Sequence, residues 1–298
     1  MGTQRFHFRA GFAVADITPD LAIRPCVLDG HAASGVRDPL EVGALVLGVA
    51  DEDPVALICA DRFQFGTGVL DRVGGASLLP DGRVLVLCSG VPTTPECGPD
   101  PADVGRVARE VGDAVRRAAA ELVPCRLGWG TMQVSVPGGP DLRVNLLKIE
   151  RAESTRTPVC AAFSLGRPAV GLGEPLVSAG WVGEVRRALP WPSLFLPGFP
   201  DVPEVCDPVA LPGGVAASVR RLWDRTTTSP SGAWAWRGMD LATKALRAGR
   251  IGNRRVAFWP GEPPGTAELP EDCVSLVGAG ASSGEEAVSA MREGLAQV

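Results

Sequence analysis

Residues 87–100, "LCSGVPTTPECGPD", set two hydroxyls (Thr93 and Thr94), a carboxylate (Glu96) and a thiol (Cys97) close together. The stretch follows a short apolar run and precedes a helical pattern, and loops in that position carry much of the chemistry of α/β proteins. Thr93, Thr94 and the amides ahead of the helix are donors converging on a helix amino end. That arrangement suits an anion such as a carboxylate, phosphate or sulfate. The same residues also make an ordinary Thr-Pro turn. Cys97 reads either as a thiolate activated by the helix or as an inert thiol, since only His31 is placeable as its base. Asp61 closes the apolar run "VALICAD", where it serves either chemistry or a neighbouring turn. Asp16 and Asp38 read as turn-holding residues.

Other chemistries find little support. The chain has two His, His7 and His31, and no Tyr. Its eight Cys are dispersed without a C-x-x-C pair, which argues against structural zinc and a disulfide framework and for buried small hydrophobes. There is no G-x-S-x-G, and two His leave little room for a Ser-His-Asp triad. No P-loop or strand-linked G-x-G-x-x-G is evident; "VGAGASSG" is Gly-rich enough to approach a ligand closely.

These residues hang on alternating elements. Strand-like runs fall at 41–49, 55–61, 83–89, 126–136, 145–151, 159–165, 193–198, 254–261 and 273–280, several continuously apolar as in strands covered on both faces. Helical patterns fall at 101–122, 180–189, 213–225, 239–249 and 283–298. The first places Val104, Val107, Ala108, Val111, Ala114, Val115 and Ala118 on one face, with Asp100 as N-cap and Pro101 at the first helical position. The pattern predicts one layered α/β domain over 1–298 with a mixed sheet flanked by helices. Residues 224–234, "DRTTTSPSGAW", read as a flexible surface loop. Trp234 and Trp236 read as core or interface residues.

Apolar residues make up 45% of the 298 and charged residues 21%, a globular balance. A formal charge of −5 without a basic stripe argues against nucleic acid and anionic membrane as partners. "MGTQRFHFRAGF" lacks a signal-peptide apolar core and "VGALVLGVA" is too short to span a bilayer, so no membrane association and a cytoplasmic location are expected.

"AGFAVADITPD", "GHAASGVRDPLEVGALVL" and "VALICAD" together resemble the start of the neutral, non-lysosomal ceramidase family. The matching residues are the Asp16–Pro19 turn, Gly30, the stretch 35–40 and Cys59–Asp61. "VSAGWVGEVRRAL", "LFLPGFPDV" and "AFWPGEP" follow in the family's order. The resemblance implies a ceramidase-like fold over roughly 10–298, abbreviated at 210–250 and without the family's C-terminal β-domain.

The family is a zinc amidase class, and the resemblance locates its ligands here. Its Thr-His-Thr-His loop corresponds to Val91-Pro92-Thr93-Thr94, its second His segment to Gly166 or Arg167, and its Glu to Glu262. A final Tyr has no counterpart, with Ser282 or Ser283 nearest. Zinc takes three or four imidazole, thiolate or carboxylate ligands. One surviving carboxylate does not assemble that set, so neither a metal nor another cofactor is expected. Glu262 in the altered pocket is a candidate general base, or merely receives turn amides. Arg167 is a candidate partner for an anion, with Glu96 and Ser282 also lining the site. His31 lies in a loop that borders the family's pocket, as an acid/base group or a surface residue.

The leading expectation is a metal-independent lyase or cyclase acting on a small or carrier-tethered, amine-bearing substrate of bacterial specialised metabolism. It would expel an anionic leaving group with ring closure, as in aziridine formation by sulfate elimination. One alternative is a non-catalytic or co-catalytic subunit in a homo- or hetero-oligomer, pairing with a related ceramidase-like chain. Another is an amide or ester hydrolase with a rearranged metal site.

Overall fold

The computed structural model describes residues 6–23, 26–28, 30–49, 52–62, 72, 79–80, 83–95, 101–135, 141–153, 157–169, 174–232, 234–241, 244–251, 254–259, 273–277, 291 and 296. In chain order these form β1 (Phe6–Asp16), β2 (Val27–Leu28), β3 (His31–Ala32), β4 (Gly35–Val36), β5 (Glu41–Val49), β6 (Val55–Ala60), β7 (Val84–Cys88) and α1 (Pro101–Ala120). β8 (Val123–Ser135), β9 (Asp141–Arg151), β10 (Pro158–Ala169), β11 (Leu176–Val177) and α2 (Gly180–Ala188) follow. The remainder is β12 (Ser193–Val205), α3 (Ala210–Arg225), β13 (Ser231–Gly232), β14 (Trp234–Leu241), β15 (Lys244–Ile251), β16 (Arg254–Trp259) and β17 (Cys273–Val277).

The main sheet is mixed and runs β14-β15-β16-β17-β12-β10-β9-β8-β1-β5-β6-β7, with β13 added on β1. Its two halves join through a short ladder, Arg9↔Pro124 and Ala10↔Val123, and fold face to face. β5 shows why its run is continuously apolar. Ala44 and Val46 pack with Val107, Val111 and Val115 of α1, whereas Leu45 and Leu47 share a core with Leu147 and Leu194 of the opposite half. A side chain at Gly43 would meet Leu194. On the far side of that half lie α2, with Trp181 edge-on to Phe195 at 5.1 Å, and α3, whose Trp223 carbonyl takes the Lys148 ammonium at 2.9 Å. The layers therefore run helix, sheet, sheet, helix, which is the layered α/β class the sequence predicts.

α1 approaches β1 so closely that a Cβ on Gly11 would sit 1.9 Å from the Ala118 carbonyl oxygen. Two expectations fail. Residues 239–241 and 244–249 are strand, not helix: β14 and β15 pair antiparallel from Trp234↔Ile251 to Leu241↔Lys244, and β15 pairs onward with β16. Ala, Leu and Lys favour helix in isolation, but the ladder offered by β16 outweighs a preference of a few tenths of a kcal/mol, roughly, per residue. Residues 224–234 are not a flexible loop either. Leu127 and Ser229 exchange backbone hydrogen bonds, the Thr228 hydroxyl donates to Glu150 at 3.0 Å, and Ser231–Gly232 pair with β1. Of the expected C-terminal helix, only 291 and 296 are described, both helical.

Candidate functional site

β6 and β7 are parallel, so their carboxyl ends emerge side by side, where open α/β sheets commonly place ligands. The alternation along β6 sends Asp61 and Arg62 to opposite faces. Both are buried, at 1% exposure each. Asp61 falls on the inner face with Leu57 and Cys59, Arg62 on the α1 side with Ile58 and Ala60. Asp61 meets both terminal nitrogens of Arg186 on α2, the longer contact at 3.1 Å, and accepts the Glu41 amide at 2.9 Å. This ion pair ties α2 to the ends of β5 and β6. Burial opposes the Arg186 charge, but Asp61 outweighs it and holds the guanidinium protonated.

The loop after β7 folds inward. The Thr94 hydroxyl donates to the Val91 carbonyl at 2.6 Å, and the Thr94 amide donates to the same oxygen at 2.9 Å. The Thr93 hydroxyl donates to the Ser178 carbonyl at 2.9 Å, and the Ser178 amide returns a bond to the Thr93 carbonyl. Both threonine protons are thus committed to the backbone, closing a turn and docking it on α2. Gly180 makes that docking possible. Its φ of +54° is a left-handed conformation, and a Cβ there would lie 2.6 Å from Val91 Cγ1.

Ser178 joins the two flanks of the site. Its hydroxyl donates to Asp38 and accepts from the Gly180 amide and from Arg37. Burial raises the Asp38 carboxyl, but the Ser178 hydroxyl and the Arg37 and Arg187 guanidiniums outweigh it and hold Asp38 below the usual carboxylate range. Asp38 holds more than its own turn, because Arg187 lies on α2 at 3.3 Å. Asp16 does keep to a turn, accepting the Thr18 amide at 2.7 Å.

The other side of the carboxyl ends is basic. Arg62 and Arg106 both donate to the Ile17 carbonyl, at 3.1 and 3.2 Å, and both face Asp103, at 4.0 and 3.1 Å. Arg72 reaches Gly105, one turn along α1. Three guanidiniums therefore surround the first turns of α1. No local pattern marks them: Arg106 falls in the second turn of α1, past the reach of the helix end, and Arg62 and Arg72 lie far from it in sequence. Arg186 and Arg187 gave no signal either, since basic residues in a last turn are ordinary.

His31 is exposed on the β2–β3 ladder opposite Leu28, and among the described residues nothing joins it to Asp61, Thr93 or Thr94. Arg167 lies within β10 and its side chain falls outside the described residues, as do Glu96, Cys97, Glu262 and Ser282 altogether. Among the described residues no group of three or more His, Cys, Asp or Glu is arranged to hold a metal ion. The described thiols are mostly buried, and burial pushes Cys125 up to about 12 and Cys59 well above its ordinary value, so both stay protonated. No helix among the described residues is long and apolar enough to cross a membrane.

No protein-family model matches the sequence, and no curated protein does. Among solved structures the chain is similar to a ceramidase complexed with C2, with a TM-score of 0.69 at 11% identity over 88% of this chain. It is also similar to neutral ceramidase from Pseudomonas aeruginosa, with a TM-score of 0.70 at 12% identity over 97% of this chain. It spans 64% of the first of those chains and 71% of the second. At such identities the likeness is one of fold, and the fold of this chain is ceramidase-like.

Proposed function

We propose that this chain is a metal-independent, ring-closing enzyme that acts on a small or carrier-tethered, amine-bearing substrate and expels an anionic leaving group. The observation that carries the reading is the guanidinium cluster of Arg62, Arg72 and Arg106 at the amino end of α1, beside the β6 and β7 carboxyl ends. Guanidiniums stabilise charge as it develops on a departing oxyanion. Thr93 and Thr94 shape the loop rather than donate to the anion, because their protons are already used.

The resemblance to neutral ceramidases adds a second support. By the sequence resemblance, the loop at 91–94 corresponds to the one that carries that family's first zinc ligands, and here it offers Val, Pro and two Thr whose hydroxyls are bonded to carbonyls. These side chains do not fit zinc. In the proposed step Glu262 takes a proton from the substrate amine, whose nitrogen forms a bond to the carbon bearing the leaving group. The carbon–oxygen bond breaks and its electron pair departs with the oxyanion. Sulfate leaving from a 2-aminoalkyl sulfate, giving an aziridine, is the simplest case.

Release of sulfate from 2-aminoethyl hydrogen sulfate tests this. Glu262→Gln is expected to slow release by at least about 100-fold, and Arg106→Gln to slow it while unfolding stays within about 1 kcal/mol of the native protein. Native rates in both folded variants would refute the assignment.

A second reading, that the chain works in a pair with a related ceramidase-like subunit, draws on exposed apolar side chains flanking the β2–β3 hairpin. Ile23 is 72% and Val27 57% exposed. A monodisperse, active single chain in sedimentation would exclude it.

A further inference from the structure

Ser89 is the first residue past β7, and its amide continues the ladder by donating to the Ala60 carbonyl at 2.9 Å. The register Ala60↔Cys88 makes it the neighbour of Asp61. Both residues are 1% exposed. The alternation places both on the inner face, with Leu57, Leu85 and Leu87. There the Ser89 hydroxyl has no hydrogen-bond partner among the described residues. Native proteins pair nearly all buried polar groups, and leaving one unpaired costs roughly 1–3 kcal/mol. A polar group brought by a ligand would complete the pairing.

The surroundings define what that partner is. A carboxylate offers about four lone-pair sites, and Asp61 uses three, two on Arg186 and one on the Glu41 amide. A hydroxyl oxygen beside a carboxylate with spare accepting capacity favours a ligand group that donates. We propose that Ser89 is a substrate-binding residue whose hydroxyl accepts a hydrogen bond from the amine of the substrate, with Asp61 completing the subsite. This rests on the functional reading above for the substrate being an amine. Amine recognition on the inner face and anion recognition at α1 would then hold the two ends of one substrate on either side of the β6 carboxyl end.

The test compares the native protein with Ser89→Ala and Ser89→Thr. Binding of 2-aminoethyl hydrogen sulfate, ethylamine and ethyl sulfate is measured by calorimetry, and stability by urea unfolding. A hydroxyl without a partner lends the fold nothing, so Ser89→Ala is expected to be as stable as the native protein or more so. It should bind the two amine-bearing probes about tenfold more weakly and ethyl sulfate unchanged, with Ser89→Thr restoring amine binding in part. A Ser89→Ala protein that loses stability and binds the amines as before would overturn the proposal. So would failure of the native protein to bind either amine. Serine-dependent amine binding without any sulfate release would instead leave the subsite standing and remove the ring-closing reaction.

Discussion

Asp61 and Asp38 are the residues whose surroundings say most about the site. Asp61 is held by Arg186 and the Glu41 amide and keeps one accepting site, so its work is to position α2 rather than to move protons. Asp38 gives a pH prediction. Its folded carboxyl is held below the ordinary value near 3.9 of an unfolded chain, so its contribution to stability is fully present above about pH 4. That contribution is lost as pH falls through the lower, folded value, because protonation breaks the pairs with Arg37 and Arg187. Urea unfolding between pH 7 and pH 2 should show a steeper acid loss in the native protein than in Asp38→Asn. Parallel curves would show that the Ser178 junction carries no such charge dependence.

At the scale of elements, the seat of α1 on β1 is the tightest approach met at any described glycine. Gly11→Ala drives a methyl group into the Ala118 carbonyl, and neither backbone can yield without lifting α1 from the Ala44 and Val46 face. A loss of at least about 3 kcal/mol in chemical denaturation is expected, beyond the usual range for a surface glycine. A loss under about 1 kcal/mol would mean that α1 is not seated there. The elements most legible in the sequence were those whose pattern was unambiguous: the continuously apolar 41–49 and 55–61, and the amphipathic 101–120. Residues 239–249 misled because Leu, Ala and Lys suit a helix locally, while the pairing edge that recruits them lies on β16. The threonines were correctly placed at a strand-to-helix loop, but their protons are claimed by Val91 and by Ser178, and the latter lies 85 residues away. No local pattern encodes such a partner. Ser89 was hidden for the opposite reason, since a missing partner is visible only in three dimensions.

For the molecule as a whole, a ceramidase-like layering of sheets between helices gives the β6 carboxyl end unlike groups on its two faces. One face carries Asp61, paired with Arg186, and Ser89; the other carries Arg62, Arg72 and Arg106 around Asp103. Under the proposed function, a substrate with an amine and an anionic leaving group would span that strand end, its ring closing between the amine nitrogen and the carbon that the anion leaves. The central claim is that this chemistry runs without a metal. It is tested most directly by measuring metal content and sulfate release on the same preparation, purified without chelator and then treated with one. Sulfate release from 2-aminoethyl hydrogen sulfate should survive chelation at an unchanged rate, with aziridine formed in equal amount. Stoichiometric zinc, with an amide-hydrolysing activity that chelation abolishes and zinc restores, would contradict the account.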